Sequence, residues 1–190
     1  SAQKYFEASL PLYRSIGSQH HIAWTLNSLA GAAWELGDVA CTYSYAEEAL
    51  ALHRNSGDPI GLAFSHYYLA SVASAKGEDT LAHRHFQESL TLQQQAENRQ
   101  GMIVSLEGLA GFLQSKDAAR AVCFLGAADH ARTVFGIPRP PLGLSRYQLE
   151  LAGARETLGE ENFAAAWTRG QAMGLEQTIT LALEEASKNS

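Results

Sequence analysis

The stretch Leu29-Ala30-Gly31-Ala32-Ala33-Trp34-Glu35-Leu36-Gly37-Asp38 returns 40 residues later as Leu69-Ala70-Ser71-Val72-Ala73-Ser74-Ala75-Lys76-Gly77-Glu78. The register holds on either side of it. Leu10, Leu50 and Leu90 align, as do Leu12, Leu52 and Leu92, and the Leu-Ala pair appears a third time at Leu109-Ala110. A fixed period of this size predicts stacked supersecondary units, each burying its apolar face against its neighbours. Such a chain is expected to act as a binding or scaffolding surface and not as an enzyme.

On both sides of this stretch the apolar residues keep helical spacing. Residues 3–16 place Phe6, Leu10, Leu12 and Tyr13 on or near one stripe, and residues 20–36 carry Ala23, Leu26, Leu29, Ala30 and Ala33 at i, i+3, i+4 and i+7 spacings. Gly37-Asp38, Gly57-Asp58 and Gly77-Glu78 each read as the stop of one helix and the cap of the next. Further helices are predicted at 39–55, 60–76, 79–96, 99–115 and 117–135, and no stretch alternates with period two for long enough to argue for a strand. The glycines are read as helix punctuation. Three prolines within Pro138-Arg139-Pro140-Pro141 predict an extended linker, beyond which the period is lost. Residues 143–158, 160–172 and 175–187 read as shorter helices that bury Leu149, Ala152, Phe163, Trp167, Leu175, Ile179 and Leu183. The expected organisation is therefore an all-α, right-handed superhelix of antiparallel helix pairs over 1–136 with a helical cap over 137–190.

Composition narrows the functional classes. A net charge of −6, from 14 basic and 20 acidic residues, argues against direct nucleic-acid contact, which needs clustered Lys and Arg. No apolar run reaches the ~18–20 residues of a bilayer span, and no signal peptide is recognisable, so a cytoplasmic location is expected. Cys41 and Cys123 read as small apolar packing residues. The histidine spacings, His20-His21 and His83-x-His85, put neither pair on one helical face, and no HExxH or CxxC occurs, so no metal is expected. Glu47-Glu48, Glu160-Glu161 and Glu184-Glu185 diverge by ~100° on a helix and read as structural. No phosphate-cradling loop or nucleophile elbow is present, and neither catalysis nor a cofactor is expected. The opening Ser1-Ala2-Gln3 leads into a helix without its repeat partner or an initiator Met, which reads as a piece of a longer chain.

Within each unit, Leu29-Ala30-x-x-Ala33-x-x-x-Gly37-Asp38 followed by Ala46 and Ala49, and Leu69-Ala70-x-x-Ala73-x-x-x-Gly77-Glu78 followed by Ala82, Phe86 and Ser89, resemble a tetratricopeptide repeat lengthened from its usual 34 residues to 40. The third copy keeps Leu109-Ala110 and Leu113 but lacks the glycine, and the motif's terminal proline is missing throughout. The later stretch is the more specific match. Ala118-Ala119-Arg120-Ala121, Leu125-Gly126-Ala127-Ala128, Arg132, Phe135-Gly136, Pro140-Pro141, Ala154-Arg155, Leu158-Gly159 and Phe163-Ala164-Ala165-Ala166-Trp167-x-x-Gly170 resemble the end of a family of large bacterial regulators. In that family a signal-transduction ATPase domain precedes the repeats, and a LuxR-type helix-turn-helix or a nucleotide cyclase domain lies elsewhere in the chain.

The resemblance implies a sensor or protein-interaction arm that contacts an upstream ATPase domain and binds a peptide, a partner protein or a small-molecule inducer. The repeat's concave-face positions carry over onto Trp24, Asn27, Gly31, Trp34 and Glu35, then Phe64, Tyr67, Ser71 and Ser74, then Val104, Glu107, Gly111 and Gln114. Small residues at 31, 71 and 111 would leave a channel along that face. The other reading of the aromatics is core packing between neighbouring repeats. Arg120, Arg132, Arg139 and Arg155 either contact a nucleotide or an ATPase domain, or tie the cap to the last repeat. The alternative for the whole chain is a ligand-free structural arm that docks within its own polypeptide or forms a homodimer through residues 3–16.

Overall fold

A computed structural model describes residues 2–184, with side chains described at all of these except 2, 141, 142, 145 and 146. Among the described residues there are ten α-helices and no strand: α1 Ala2–Ser15, α2 Gln19–Glu35, α3 Val39–Ser56, α4 Pro59–Ala75, α5 Asp79–Gln95, α6 Arg99–Leu113, α7 Ala118–Phe135, α8 Pro141–Leu158, α9 Glu160–Ala172 and α10 Leu175–Glu184. The end expected at 187 for the last helix, and Glu185 of the last Glu-Glu pair, lie outside the described residues.

The turns explain why the helix ends were readable. Gly17, Gly37, Gly57 and Gly77 all hold φ between 69° and 77°, the left-handed region that costs glycine nothing. At each, the following N–H reaches back five residues, as Ser18 to Tyr13, Asp38 to Ala33, Asp58 to His53 and Glu78 to Ala73. Asp38 and Asp58 then cap the next helix, their carboxylates accepting from the N–H groups of Cys41 at 2.9 Å and Gly61 at 3.0 Å. Glu78 makes no side-chain cap. Where the next glycine of this series would fall, Glu97 takes φ 51° instead.

The chain forms two compact units, residues 1–96 and 97–190. In the first, α1 through α5 pack each on the next as antiparallel neighbours, and α2 also lies against α4. One apolar cluster joins Leu10 of α1, Ile22, Leu26 and Leu29 of α2, and Ala49 of α3, with Tyr45 and Leu52 closing it. Its successor joins Ala30, Ala46, Leu50 and Leu69, flanked by Leu62 and Tyr68. Most members of the second cluster sit one period beyond members of the first, as Leu50 does to Leu10 and Leu69 to Leu29.

The second unit is built around α7. Every residue from Ala121 to Ala128 is buried, which suits a helix packed by α6, α8, α9 and α10. Its closest approach is to α9. A Cβ on Gly126 would lie 2.6 Å from the Trp167 carbonyl oxygen, and one on Gly170 would overlap the backbone of Cys123. These glycines, with Gly61 below, sit inside helices and admit a neighbour, so the reading of glycine as punctuation alone is corrected. Helix α7, placed before the proline-rich stretch, thus packs most extensively on α9, placed after it.

The residues buried after the proline-rich stretch differ from expectation at α8. Phe163, Leu175 and Ile179 are buried, and Trp167 and Leu183 half-buried, but Leu149 is 73% exposed and Ala152 is also exposed. Helix α8 turns Ala154, Leu151 and Leu158 to Val122 and Phe163 instead. Apolar residues occur on both faces of α8, so the phase of the stripe was ambiguous in sequence.

Candidate functional site

The first-unit residues assigned to the concave face sit on α2 and α4, helices that touch side by side. Trp24, Phe64 and Tyr67 are each half-buried. The Trp24 ring meets Phe64 edge-on at 6.1 Å and His53 at 5.4 Å, and Tyr67 meets Tyr68 at 5.1 Å and Phe86 at 6.2 Å. Trp34 is half-buried near the end of α2, and Glu35 beside it is exposed. These aromatics are held on one side by neighbouring helices and keep part of their surface open.

Asn27 is different, because it is buried and its amide is fully used. Its Nδ2 donates to the Gly61 carbonyl at 2.9 Å and to His53 Nε2 at 3.2 Å, and its Oδ1 accepts from Ser65 Oγ at 2.9 Å. Because His53 Nε2 accepts, its proton lies on Nδ1, which faces Asp58 Oδ2 at 3.3 Å. Burial lowers the His53 pKa, outweighing the Asp58 charge that raises it. The ring is therefore neutral, and its approach to Asp58 is a polar contact and not an ion pair; Nδ1 makes no well-formed hydrogen bond there. Asp58 also accepts from Trp24 Nε1 at 3.0 Å, while its other oxygen caps α4. The network thus ties α2, α3 and the start of α4 together, and orients Trp24. Gly61 is required at its centre, since a Cβ there would overlap the His53 imidazole.

At Gly31 and Gly111 the space expected for a channel is filled. Tyr68 closes over Gly31, where a Cβ would lie 2.5 Å from its hydroxyl, and burial followed by the charge of Glu35 raises that phenol to about 12. Ser71 is buried and donates to the Tyr67 carbonyl at 3.0 Å, and Ser74 is half-buried. In the second unit the carboxylate of Glu150 lies 3.3 Å from where a Gly111 Cβ would be. Between α4 and α5, His66 Nδ1 and His85 Nδ1 lie 2.8 Å apart. Burial first, then Arg54 and Arg84 for His66, and His66 and Arg84 for His85, lower both to about 4. At neutral pH both rings are uncharged, and one donates to the other.

The second-unit positions are equally committed. Glu107 takes a bidentate pair of bonds from Arg132 Nε and Nη2, both 2.8 Å, and Arg139 Nη1 lies 2.8 Å from the same carboxylate. Arg132 Nη1 also donates to the Pro138 carbonyl at 3.1 Å, while Arg139 stacks on Tyr147 at 3.5 Å. Tyr147 in turn donates to Asp129 at 3.2 Å. Burial alone would lower the Arg132 pKa, but its bond to Glu107 and the Glu107 charge raise it overall. Two carboxylates and two guanidiniums here cancel, joining α6, α7, the proline-rich stretch and α8. Gln114 donates to the Glu150 carbonyl at 2.7 Å, and Val104 is half-buried. Of the other arginines, Arg120 lies over Phe124 at 5.2 Å and Arg155 over Phe163 at 4.2 Å.

Sequence reasoning did not find His53, Gly61 or Ser65 as partners of Asn27. The available signal was a polar residue at three apolar-stripe positions, two of them separated by one helix. Both cysteines are free thiols; Cys123 is buried and Cys41 half-buried. Among the described residues no three His, Cys, Asp or Glu side chains are grouped to hold a metal ion, and no helix is long and apolar enough to cross a membrane. Comparison of the chain with protein-family models, with curated proteins and with solved structures finds no match in any of the three.

Proposed function

We propose that this chain is a non-catalytic interaction arm, a tetratricopeptide-like superhelical array of a bacterial signal-transduction regulator, working in the cytoplasm. The observation that carries this reading is the face shared by α2 and α4, where Trp24 and Phe64 adjoin each other and stay partly open, with half-buried Trp34 and Tyr67 further along the same helices. Ring surface anchored at low conformational cost, next to exposed Glu35, suits a peptide or an inducer with an apolar body and a basic group. Occupancy would shift contacts of the array with an upstream ATPase domain and so control a LuxR-type or cyclase output.

Thermal unfolding with a panel of amphipathic, Lys-containing peptides tests the reading. A binding peptide raises the Tm of the chain, and Trp34→Ala or Tyr67→Ala abolishes that rise while leaving the ligand-free fold intact. A shift that survives both substitutions contradicts this assignment of the face. A second reading, a structural docking arm without ligand, is favoured by one observation, the exposed apolar stripe of α1.

A further inference from the structure

The repeat allows α1 to be compared with α3 position by position: Tyr5 with Tyr45, Ser9 with Ala49, Leu12 with Leu52 and Ile16 with Ser56. On α3 the first three of these positions are covered, and Ser56, the counterpart of Ile16, is exposed. Tyr45 and Leu52 pack on Leu10 of α1 and on Ile22, Leu26 and Leu29 of α2, and Ala49 is buried among them. On α1 the three apolar positions are open, with Tyr5 79%, Leu12 66% and Ile16 72% exposed, and Ser9 is half-buried. Steps of seven and four residues place the three on one helical stripe. The opposite stripe, Phe6, Leu10 and Tyr13, is already spent on α2 and α3.

What covers the α3 stripe is a pair of antiparallel helices presenting Leu and aromatic side chains. A second copy of the chain has no such pair to offer, because the corresponding faces of its α1 and α2 are occupied by its own α3. It would bring only another α1 stripe. Three side chains from each partner fall well short of the roughly 800 Å² per partner typical of a stable interface.

We propose that the Tyr5–Leu12–Ile16 stripe is the docking surface for a further antiparallel helix pair of this repeat, joined ahead of α1 in the same polypeptide and seated on α1 as α1 and α2 sit on α3. The proposal rests on the repeat register alone, so its failure leaves the ligand reading standing.

The test lengthens the whole chain by placing a second copy of residues 1–40 ahead of Ser1, which continues the period and supplies Gly37-Asp38 as the turn into α1. In the lengthened chain the amides of α1 exchange at least about tenfold more slowly than in the parent. Leu12→Asn in the original α1 lowers the Tm by several degrees there, and by about one degree or less in the parent, where Leu12 faces water. Three results overturn the proposal. One is that α1 exchange and the Leu12→Asn effect are the same in both chains. Another is that circular dichroism shows no added helix in the lengthened chain, so that the stripe fails to order the pair its register matches. The last is that the parent sediments as a dimer that Leu12→Asn dissolves, which assigns the stripe to a second copy.

Discussion

Asn27 and Glu107 occupy the same position of the repeat, two periods apart, and the two units use it in opposite ways. In the first unit, Asn27 anchors a buried and uncharged network in which a neutral His53 accepts from an amide and an N-capping Asp58 stands by. In the second, Glu107 is the centre of a charged cluster, gripped by Arg132 and Arg139. In both, the side chain ties its helix to neighbours of its own unit. In the first and third copies the position holds a polar tie between helices, with different partners in each, whereas in the second copy it carries the Tyr67 ring.

Substitutions at the two sites test that contrast. The largest loss is expected from Glu107→Ala, which leaves two mostly buried guanidiniums without their shared anion and costs about 3–5 kcal/mol. Denaturant unfolding reads the loss, and exchange should quicken in α7 and α8. Asn27→Ala, which strands His53 Nε2 and leaves Ser65 Oγ only the Gly61 carbonyl as acceptor, should cost about 2–3 kcal/mol. Gly61→Ala should cost about 1–3 kcal/mol by forcing His53 aside, and pairing it with His53→Ala should recover part of that loss in a double-mutant cycle.

Acid separates the units as well. His53, His66 and His85 bind protons less readily folded than unfolded, so the unfolded chain takes up more protons as the pH falls below about 6.5. Stability of residues 1–96 should fall as the pH drops from about 6.5 to about 4. Arg132, held charged across that window, adds no such loss in residues 97–190. Residue-resolved exchange at pH 7 and pH 5 checks this. The smallest effect expected is a gain: Glu97→Gly relieves a left-handed residue at the position that Gly17 and Gly57 fill, and should stabilise by about 0.5–1 kcal/mol in thermal melts.

The fold was legible where local chemistry repeats. Gly-Asp and Gly-Glu turns at a constant spacing marked the helix ends, and leucines in register marked the faces that form the first-unit clusters. The site was less so. That Asn27 turns inward depends on His53, a residue one helix away with no counterpart motif, and on the missing side chain of Gly61. Small residues at 31 and 111 signal close packing as readily as open space, and in the fold Tyr68 and Glu150 fill those places. Helix α8 shows the limit of periodicity, since Leu149 and Leu151 offer two phases and only one meets α7 and α9.

The proposed function turns on the face carrying Trp24, Trp34, Phe64 and Tyr67. The most direct test is amide exchange across the whole chain, with and without a peptide that raises its Tm. Slowed exchange confined to α2 and α4 near those four residues is the expected result. Unchanged exchange there, or slowing confined to α1, would contradict it and leave the chain a structural docking arm.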